Sequence, residues 1–493
     1  DGLDDITLGT EGGNNIEIFR NKTPRDFKNV VTRFGLSETS SSRTIIWVDY
    51  DNDGDKDLFV ANADDVSHLY RRDSPSSFTD VTTTSGLSTA NVSTMSAAWA
   101  DYDNDGWLDV YIGNRVNSLG NYLYHNNGDG TFTDVTATAG VSNFDVLNLT
   151  VTWLDYNNDG YQDLYLANDF EQGNTLFKNN GDGTFTDVSV SSGADLHFAA
   201  MGLAIGDYNN DGFVDIYVSN SPVGNGLLKN NGDGTFTNVA AALGLLINKI
   251  CWGANFVDYD NDGDLDLFVS VSHGNGMSDP ESQNVLFANN GDGTFSTPVY
   301  TWINLDKSQS YGNAIGDFNN DGFSDIAVVN GFGTKTTLWK NSGNGTNHWI
   351  KLNLKGVSSN KDAIGSVIEV TVGGNTVKRF VHSQISFQSQ NSLTQIIGVG
   401  TASIIDEIKV TWPSGSVTTL TNVAVNQSLT LTEGLSAQPQ LSKEILLPQQ
   451  FELDQNFPNP FNPSTVIKYQ LPADAFVKIE IFSVTGEKVA DLV

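Results

Sequence analysis

Carboxylates recur at fixed spacing in a nine-residue loop that returns six times, at Asp49 to Asp57, Asp101 to Asp109, Asp155 to Asp163, Asp207 to Asp215, Asp258 to Asp266 and Asp317 to Asp325. Each copy reads Asp-aromatic-(Asp/Asn)-Asn-Asp-Gly-x-x-Asp, with oxygen side chains at positions 1, 3, 5 and 9 and a glycine at position 6, where the backbone must turn sharply. Hard oxygen donors at this spacing suit a calcium ion. The candidate ligands are Asp49, Asp51, Asp53 and Asp57; Asp101, Asp103, Asp105 and Asp109; Asp155, Asn157, Asp159 and Asp163; Asp207, Asn209, Asp211 and Asp215; Asp258, Asp260, Asp262 and Asp266; and Asp317, Asn319, Asp321 and Asp325. Position 7 joins the set with Asp55, Trp107, Tyr161, Phe213, Asp264 and Phe323, since calcium loops offer a backbone carbonyl there. Six calcium sites are expected. A seventh is implied by the opening Asp1-Gly2-Leu3-Asp4-Asp5, which matches the second half of a loop and adds Asp1 and Asp5.

The position-5 aspartates are separated by 52, 54, 52, 51 and 59 residues, and Asp1 precedes Asp53 by 52, which is the period of a repeat fold. A helix-loop-helix calcium site needs a bidentate Glu at position 12. Here that position is Val60, Ile112, Leu166, Val218, Val269 or Val328, within apolar runs such as Leu58-Phe59-Val60 that read as strands buried on both faces. Downstream, Asn126-Asn127-Gly128-Asp129-Gly130-Thr131-Phe132 and its copies from Asn179, Asn230, Asn289 and Asn341 signal a tight hairpin. One unit is therefore strand, acidic loop, strand, connection, strand, Gly-Asp-Gly turn, strand. Four strands in about 50 residues make a propeller blade. The position-2 aromatics, and Trp47, Trp99 and Trp153 two residues before their loops, are read as packing toward neighbouring blades.

At these residues the chain resembles the FG-GAP or VCBS repeat family, the propeller type of integrin alpha subunits, over roughly residues 1 to 345. The resemblance implies a seven-bladed calcium-binding β-propeller, with the metal in the hairpin between the first two strands of each blade and a first blade that lacks its opening strand.

The chain carries 59 Asp plus Glu against 26 Lys plus Arg, a net charge of −33, and 23 of the acids lie in the six loops. Six calcium ions would bring −33 to −21. Such a balance excludes nucleic acid as a partner, because phosphates demand a basic surface. Cys251 is the single cysteine and is read as a core thiol. No apolar run reaches the length of a membrane helix, so the chain is not expected to span a membrane.

Near residue 345 the repeats end. Alternating segments such as Trp349 to Leu354, Val367 to Val370, Ile408 to Trp412 and Leu429 to Leu431 read as a β-sandwich over 346–434. Ser359 to Gly365, Ser389-Gln390, Gly398-Val399-Gly400 and Trp412-Pro413-Ser414-Gly415 resemble the ASPIC/UnbV domain. A polar linker, 435–450, leads to Asn456-Phe457-Pro458-Asn459-Pro460-Phe461-Asn462-Pro463 and the strand-like Val466 to Tyr469 and Val477 to Glu487. This segment, 451–493, resembles the C-terminal sorting domain of type IX secretion substrates, with its end truncated. The resemblance implies export to the exterior or outer surface of a Gram-negative bacterium.

Six near-identical loops argue against catalysis, because a reaction centre is built once from dissimilar groups. The six histidines show no metalloprotease spacing, and no nucleophile elbow or phosphate-binding loop is present. The expected function is that of a non-enzymatic, calcium-binding structural or adhesion protein, with calcium rigidifying the blades and self-assembly into a layer or filament as one outcome. A carbohydrate-binding module for extracellular polysaccharide is the alternative, followed by a polysaccharide lyase or hydrolase. Partners are then calcium, further copies of the chain, glycans or surface proteins.

Overall fold

The computed structural model describes residues 2–22, 26–115, 120–144, 146–170, 172–221, 224–272, 283–297, 303, 307–331, 334–343 and 345–435, together with short strand stretches between 438 and 491. Two compact units result, Asp1–Gln438 and Pro439–Val493. The first is all-β apart from single helical turns. It contains seven consecutive antiparallel sheets followed by a sandwich of two further sheets.

The third sheet shows the unit of construction. Its inner strand Thr94–Ala100 runs into the acidic loop, Asp109–Asn114 returns beside it, Tyr122–Asn126 follows, and Phe132–Asp134 closes the edge after the Gly-Asp-Gly turn. The first two strands are buried along their whole length, as their apolar runs require. Sheets two to six have four strands in this order; among the described residues the first (Ile6–Leu8, Glu17–Asn21, Phe27–Asn29) and seventh (Ser310–Gly316, Asp325–Asn330, Thr337–Trp339) have three. Among the described residues the first sheet has no inner strand, as its half-loop implies. A short helix that the repeat reading did not include follows the fourth strand at Thr82–Ser85, Thr136–Ala139 and Ser189–Ser192. Its cause is local: Asp80, Asp134 and Asp187 each accept hydrogen bonds from the backbone N–H and hydroxyl of the Thr or Ser two residues on.

Neighbouring sheets are joined by one repeated clamp. Asn126 donates to the carbonyl of Tyr50 in the preceding sheet at 2.8 Å, and Asn179, Asn230 and Asn289 do the same to Tyr102, Tyr156 and Tyr208. Asn341 donates to Tyr259, and Asn21 donates to Phe318 at 2.7 Å, which links the first sheet to the seventh. Between the first and second sheets, the Trp47 indole donates to the Thr7 hydroxyl instead. The position-2 tyrosines pack on the Phe that follows the turn of the next sheet, in the pairs Tyr50–Phe132, Tyr102–Phe185, Tyr156–Phe236 and Tyr208–Phe295. Trp99 meets Phe59, and Trp153 donates to Ala98, so these tryptophans also reach the sheet before their own.

The sandwich pairs His348–Lys355 with Gln395–Gly400 and, in parallel, with Gln427–Thr432 in one sheet. Asn375–Phe380, Val367–Val372, Ile404–Thr411 and Val417–Ala424 form the other. Ile350, Leu352, Ile368, Val370, Ile397, Ile408, Val410, Leu429 and Leu431 fill the space between them.

This sandwich is not an appendage of the repeats. Its segment Ser383 to Ser392 makes a contact with every one of the seven sheets. Ser383 is bonded to Trp99, Gln390 to both backbone groups of Trp47, Ser386 to Leu203, and Asn391 to Asn255 and Ile315. The Gln384 carbonyl accepts from Thr152, and Ser392 donates to Asp4. A ten-residue stretch can touch seven sheets only if they surround it, so this segment occupies the axis of the ring. Gly253 and Gly312 permit the approach, since a Cβ at either would lie 2.7 Å from Ser386 or Phe387.

Cys251 is fully buried, with the Asn225 amide 3.6 Å from its sulfur, and burial pushes the thiol up to about 12. No helix among the described residues is long and apolar enough to cross a membrane, which says nothing of β-barrels. In the second unit Glu452–Leu453 pairs with Tyr469–Gln470, and Glu480–Phe482 with Lys488–Asp491. The Pro-Asn-Pro-Phe-Asn-Pro run of the sorting-domain resemblance lies outside the described residues, as does Asp1.

Candidate metal centres

All six loops share one hydrogen-bond frame. The position-1 carboxylate accepts the N–H of the position-6 glycine, at 2.8 to 3.1 Å, in Asp49, Asp101, Asp155, Asp207, Asp258 and Asp317. The position-9 carboxylate bridges two strands. One oxygen accepts the position-2 N–H and the other an N–H of the third strand, as Asp109 does from Tyr102 and Asn126. Asp57, Asp163, Asp215, Asp266 and Asp325 repeat this arrangement. Asp5 retains half of it, accepting the Asn21 N–H at 2.7 Å.

Within this frame the loops divide by position 3. Where it is Asp, carboxylate oxygens converge: Asp49, Asp51 and Asp53 form one group within 4.8 Å, Asp258, Asp260 and Asp262 a second, and Asp101, Asp103 and Asp109 a third. Asp103 and Asp105 also group with His125 of the third strand. Where position 3 is Asn, the side-chain amide of Asn157, Asn209 or Asn319 donates to the position-5 carboxylate, Asp159, Asp211 or Asp321. In those loops the acid is partly compensated by protein, and a cation would require the amide to present its oxygen instead.

Position 7 acts through its side chain in a way the spacing did not reveal. The rings of Trp107, Tyr161, Phe213 and Phe323 cover Gly128, Gly181, Gly232 and Gly343 of the hairpin turn. The Asp264 carboxylate accepts from Asn210 of the preceding sheet at 2.6 Å, and neither it nor Asp55 joins a metal-type cluster among the described residues.

Crowding and burial leave these acids uncomfortable without a counter-ion. Asp49 is pushed up to about 7 by burial and by Asp362 of the sandwich, and Asp101 to about 8 by burial and by Asp109. Burial raises Asp109 and Asp258 to about 7, and Asp57 and Asp215 to about 8. Oδ1 of Asp49, Asp51, Asp103 and Asp258 is buried and has no hydrogen-bond partner. A buried carboxylate oxygen without a donor is costly, and clusters of three carboxylates that each include at least one such oxygen match a hard divalent cation. The residues present therefore fit such an ion best in the second, third and sixth sheets.

Protein cations also reach the loops. Lys351 Nζ lies 2.9 Å from Asp317 and 2.8 Å from Asn320 Oδ1, and Arg379 donates to the Gly263 carbonyl at 3.0 Å with Asp258 at 3.6 Å. Both come from the sandwich and both are buried. Gly398 of the sandwich donates its N–H to Asp258, and a Cβ there would collide with Asn261. His125 is held up at about 9, mainly by Asp109.

Sequence reasoning passed over the position-4 asparagines. Asn52, Asn104, Asn158, Asn210, Asn261 and Asn320 all have φ between 54° and 59°, the left-handed region Asn tolerates. Asn52, Asn104, Asn158 and Asn261 donate to the position-6 glycine carbonyl of the next loop, tying the loops into a chain. Their invariance across the six copies was the available signal. The axial segment, the sandwich cations and His125 carried no signal, because their roles arise from contacts between distant parts of the chain.

Profiles of known families match this chain in two regions. The FG-GAP-like repeat matches residues 1–60, 49–112, 102–166, 155–218, 207–269 and 275–328, and the ASPIC and UnbV family matches 356–438. Among curated proteins, cartilage acidic protein 1 of Xenopus tropicalis is 26% identical over 275 residues, covering 53% of this chain and 41% of the relative. The Homo sapiens protein of that name is 24% identical over 255 residues, covering 50% and 38%. The chain thus spans about two fifths of the length of these relatives. Among solved structures, an Agrocybe aegerita lectin recognising non-reducing terminal N-acetylglucosamine aligns with a TM-score of 0.45 at 18% identity, over 70% of this chain and 88% of its own. The V. cholerae biofilm matrix protein Bap1 aligns at 0.36 and 15% identity, over 99% and 76%. With its repeated four-stranded sheets, each opened by the same acidic hairpin loop, the chain belongs to the FG-GAP-like repeat family and carries an ASPIC and UnbV domain behind the repeats.

Proposed function

We propose that this chain is a non-enzymatic, calcium-binding structural or adhesion protein of the cell exterior, a seven-bladed propeller whose blades are rigidified by calcium. The observation that carries the reading is the set of buried, unpartnered oxygens of Asp49, Asp51, Asp103 and Asp258 in clusters of three carboxylates. Ionised groups so close repel strongly in a poorly solvated loop, and a divalent cation supplies the missing charge and electrophile. Asp49, Asp51 and Asp53; Asp101, Asp103 and Asp109; and Asp258, Asp260 and Asp262 would hold it most tightly. The Asn-bearing loops would bind more weakly, having one carboxylate fewer.

Extracellular placement is supported by the sorting-domain resemblance at residues 451–493, and millimolar calcium outside the cell matches the affinity expected of extracellular loops. Each loop is a repeat of the others, so the ions serve architecture and not turnover. Broad, stiff sheet surfaces suit adhesion or assembly with further copies. Calorimetric titration of calcium into the chelator-stripped chain tests the reading: several equivalents are expected, with the Asp-rich loops filling first. Absence of binding heat, with no change in melting temperature, would overturn it.

A further inference from the structure

In each sheet one residue stands immediately before the position whose N–H bonds the loop's final aspartate, and in the four-stranded sheets it lies on the third strand. The series is Arg20, Arg71, His125, Lys178, Lys229, Ala288 and Lys340. The shared register with the fourth strand, Arg71 opposite Thr79, His125 opposite Thr133, Lys178 opposite Thr186 and Lys229 opposite Thr237, establishes the equivalence. Lysines at this place act as counter-charges: Lys229 Nζ is 3.9 Å from Asp211 and Lys340 Nζ 3.4 Å from Asp321. Lysine and arginine carry no lone pair for a metal, whereas imidazole does.

His125 is the one residue in the series able to ligate, and its loop is one of the three with Asp at position 3. Its Nδ1 is 3.3 Å from Asp103 Oδ2 and 3.2 Å from Asp109 Oδ1. Neither contact meets hydrogen-bond alignment, and the buried Nδ1 atom sits between the two carboxylates. Asp103 Oδ1, in the same cluster, is also buried and unpartnered. Ligand atoms of Asp103, Asp105 and His125 all lie within 4.8 Å of one another. Ligands bound at about 2.1 Å to one ion stand roughly 3 to 4 Å apart, so small side-chain adjustments would close the set. The ring is steadied edge-on by Tyr102.

We propose that the loop of the third sheet is a site for a divalent first-row transition ion, with His125 as nitrogen donor beside Asp103 and Asp105, in a ring whose other loops offer oxygen alone. Mixed imidazole and carboxylate donors favour ions such as zinc, cobalt or nickel over calcium, which prefers oxygen throughout. The site would give one blade a metal identity different from its neighbours. This inference rests on reading the loops as cation sites and is separable from the calcium assignment.

The test titrates Co2+ into the full chelator-stripped chain in the presence of about 2 mM calcium, enough to fill oxygen-only extracellular loops, and follows visible absorption and calorimetric heat. The expected result is one tight equivalent that calcium does not displace. His125→Lys, which installs the residue found in the equivalent place of three other sheets, should weaken this equivalent at least 100-fold, roughly the upper range for perturbing a metal's ligand environment, and leave the calcium heats of the oxygen-only loops in place. A melt of the variant in calcium verifies that it is folded. Equal Co2+ binding by the variant would overturn the inference, because the metal would then sit on other histidines or on oxygen-only loops. Displacement of Co2+ from the unmodified chain by millimolar calcium would overturn it too. Tight, His125-dependent Co2+ binding with no calcium heat in either protein would support the inference while removing the calcium assignment.

Discussion

Removing metal should destabilise the 1–438 unit, and the size of the effect should depend on pH in a direction the loop carboxylates dictate. An extracellular-type site with a dissociation constant of about 10⁻⁴ M, in about 2 mM calcium, contributes about 2 kcal/mol to stability. Three Asp-rich loops then supply about 5 kcal/mol and all six about 11 kcal/mol. At about 2.1 cal/mol/K of unfolding entropy per residue, a cooperative unit of this size changes its melting temperature by about 1 °C per kcal/mol. Chelation should therefore lower the melt by about 6 to 12 °C near neutral pH. The pH dependence follows from Asp49, raised from 3.8 to about 7, and from Asp101, raised to about 8. The folded metal-free chain binds more protons than the unfolded chain between pH 3.8 and about 8, so its stability falls as pH rises through that window. Bound calcium would replace those protons, so the gap between calcium and chelator melts should be small near pH 5 and widest near pH 8. Differential scanning calorimetry at both pH values, with metal loss verified by elemental analysis, gives the answer. Coincident melts at pH 8, or a gap that narrows as pH rises, would refute the reasoning.

Other parts of the frame make separate predictions. Asn126→Ala removes the partner of the Tyr50 and Leu108 carbonyls, bonded at 2.8 and 3.0 Å, and should cost about 3 kcal/mol by chemical denaturation, whereas Asn127→Ala at the exposed turn should stay within about 0.5 kcal/mol. Arg379→Met withdraws a buried cation from Asp258 and a donor from Gly263; the loss should be about 3 to 5 kcal/mol in chelator and clearly smaller in calcium, and an equal loss in both would show that no ion shares that charge. Glu433 accepts from the N–H groups of Val357, Ser358 and Ser359 and from three serine hydroxyls, which hold it down at about 2. Its contribution should be complete above pH 4.5 and lost as pH falls through about 2, so Glu433→Gln should destabilise at pH 7 and converge with the parent in acid, read by near-ultraviolet circular dichroism.

The period of about 52 residues, the loop spacing and the apolar triplets after each loop specify a repeated four-stranded sheet, because hairpins and strands are local and their chemistry is written in adjacent residues. The missing inner strand of the first sheet was legible for the same reason: half a loop is visible as half a loop. The sandwich was legible as alternating segments, to which the structure adds the strands Asn375–Phe380, Gln395–Gly400 and Val417–Ala424. Sequence alone also separated Asp-bearing from Asn-bearing loops, which is where carboxylates converge and where an amide fills the gap.

Tertiary structure decided what surrounds those loops. The run Ser383 to Ser392 is uncharged and mostly polar, the composition of an ordinary loop, yet it passes along the axis, where it satisfies backbone groups of the inner strands at Trp47, Trp99, Leu203 and Ile315. Lys351 and Arg379 lie at least 26 residues beyond the last acidic loop, and they act on Asp317 and Asp258 only because the sandwich packs against the loop-bearing end of the ring. His125 stands 16 residues after Asp109 on a different strand, and the antiparallel pairing of Tyr122–Asn126 with Asp109–Asn114 brings it back. Charge compensation is a property of space and not of sequence separation, so the loop ligands can be read along the chain while their counter-charges cannot.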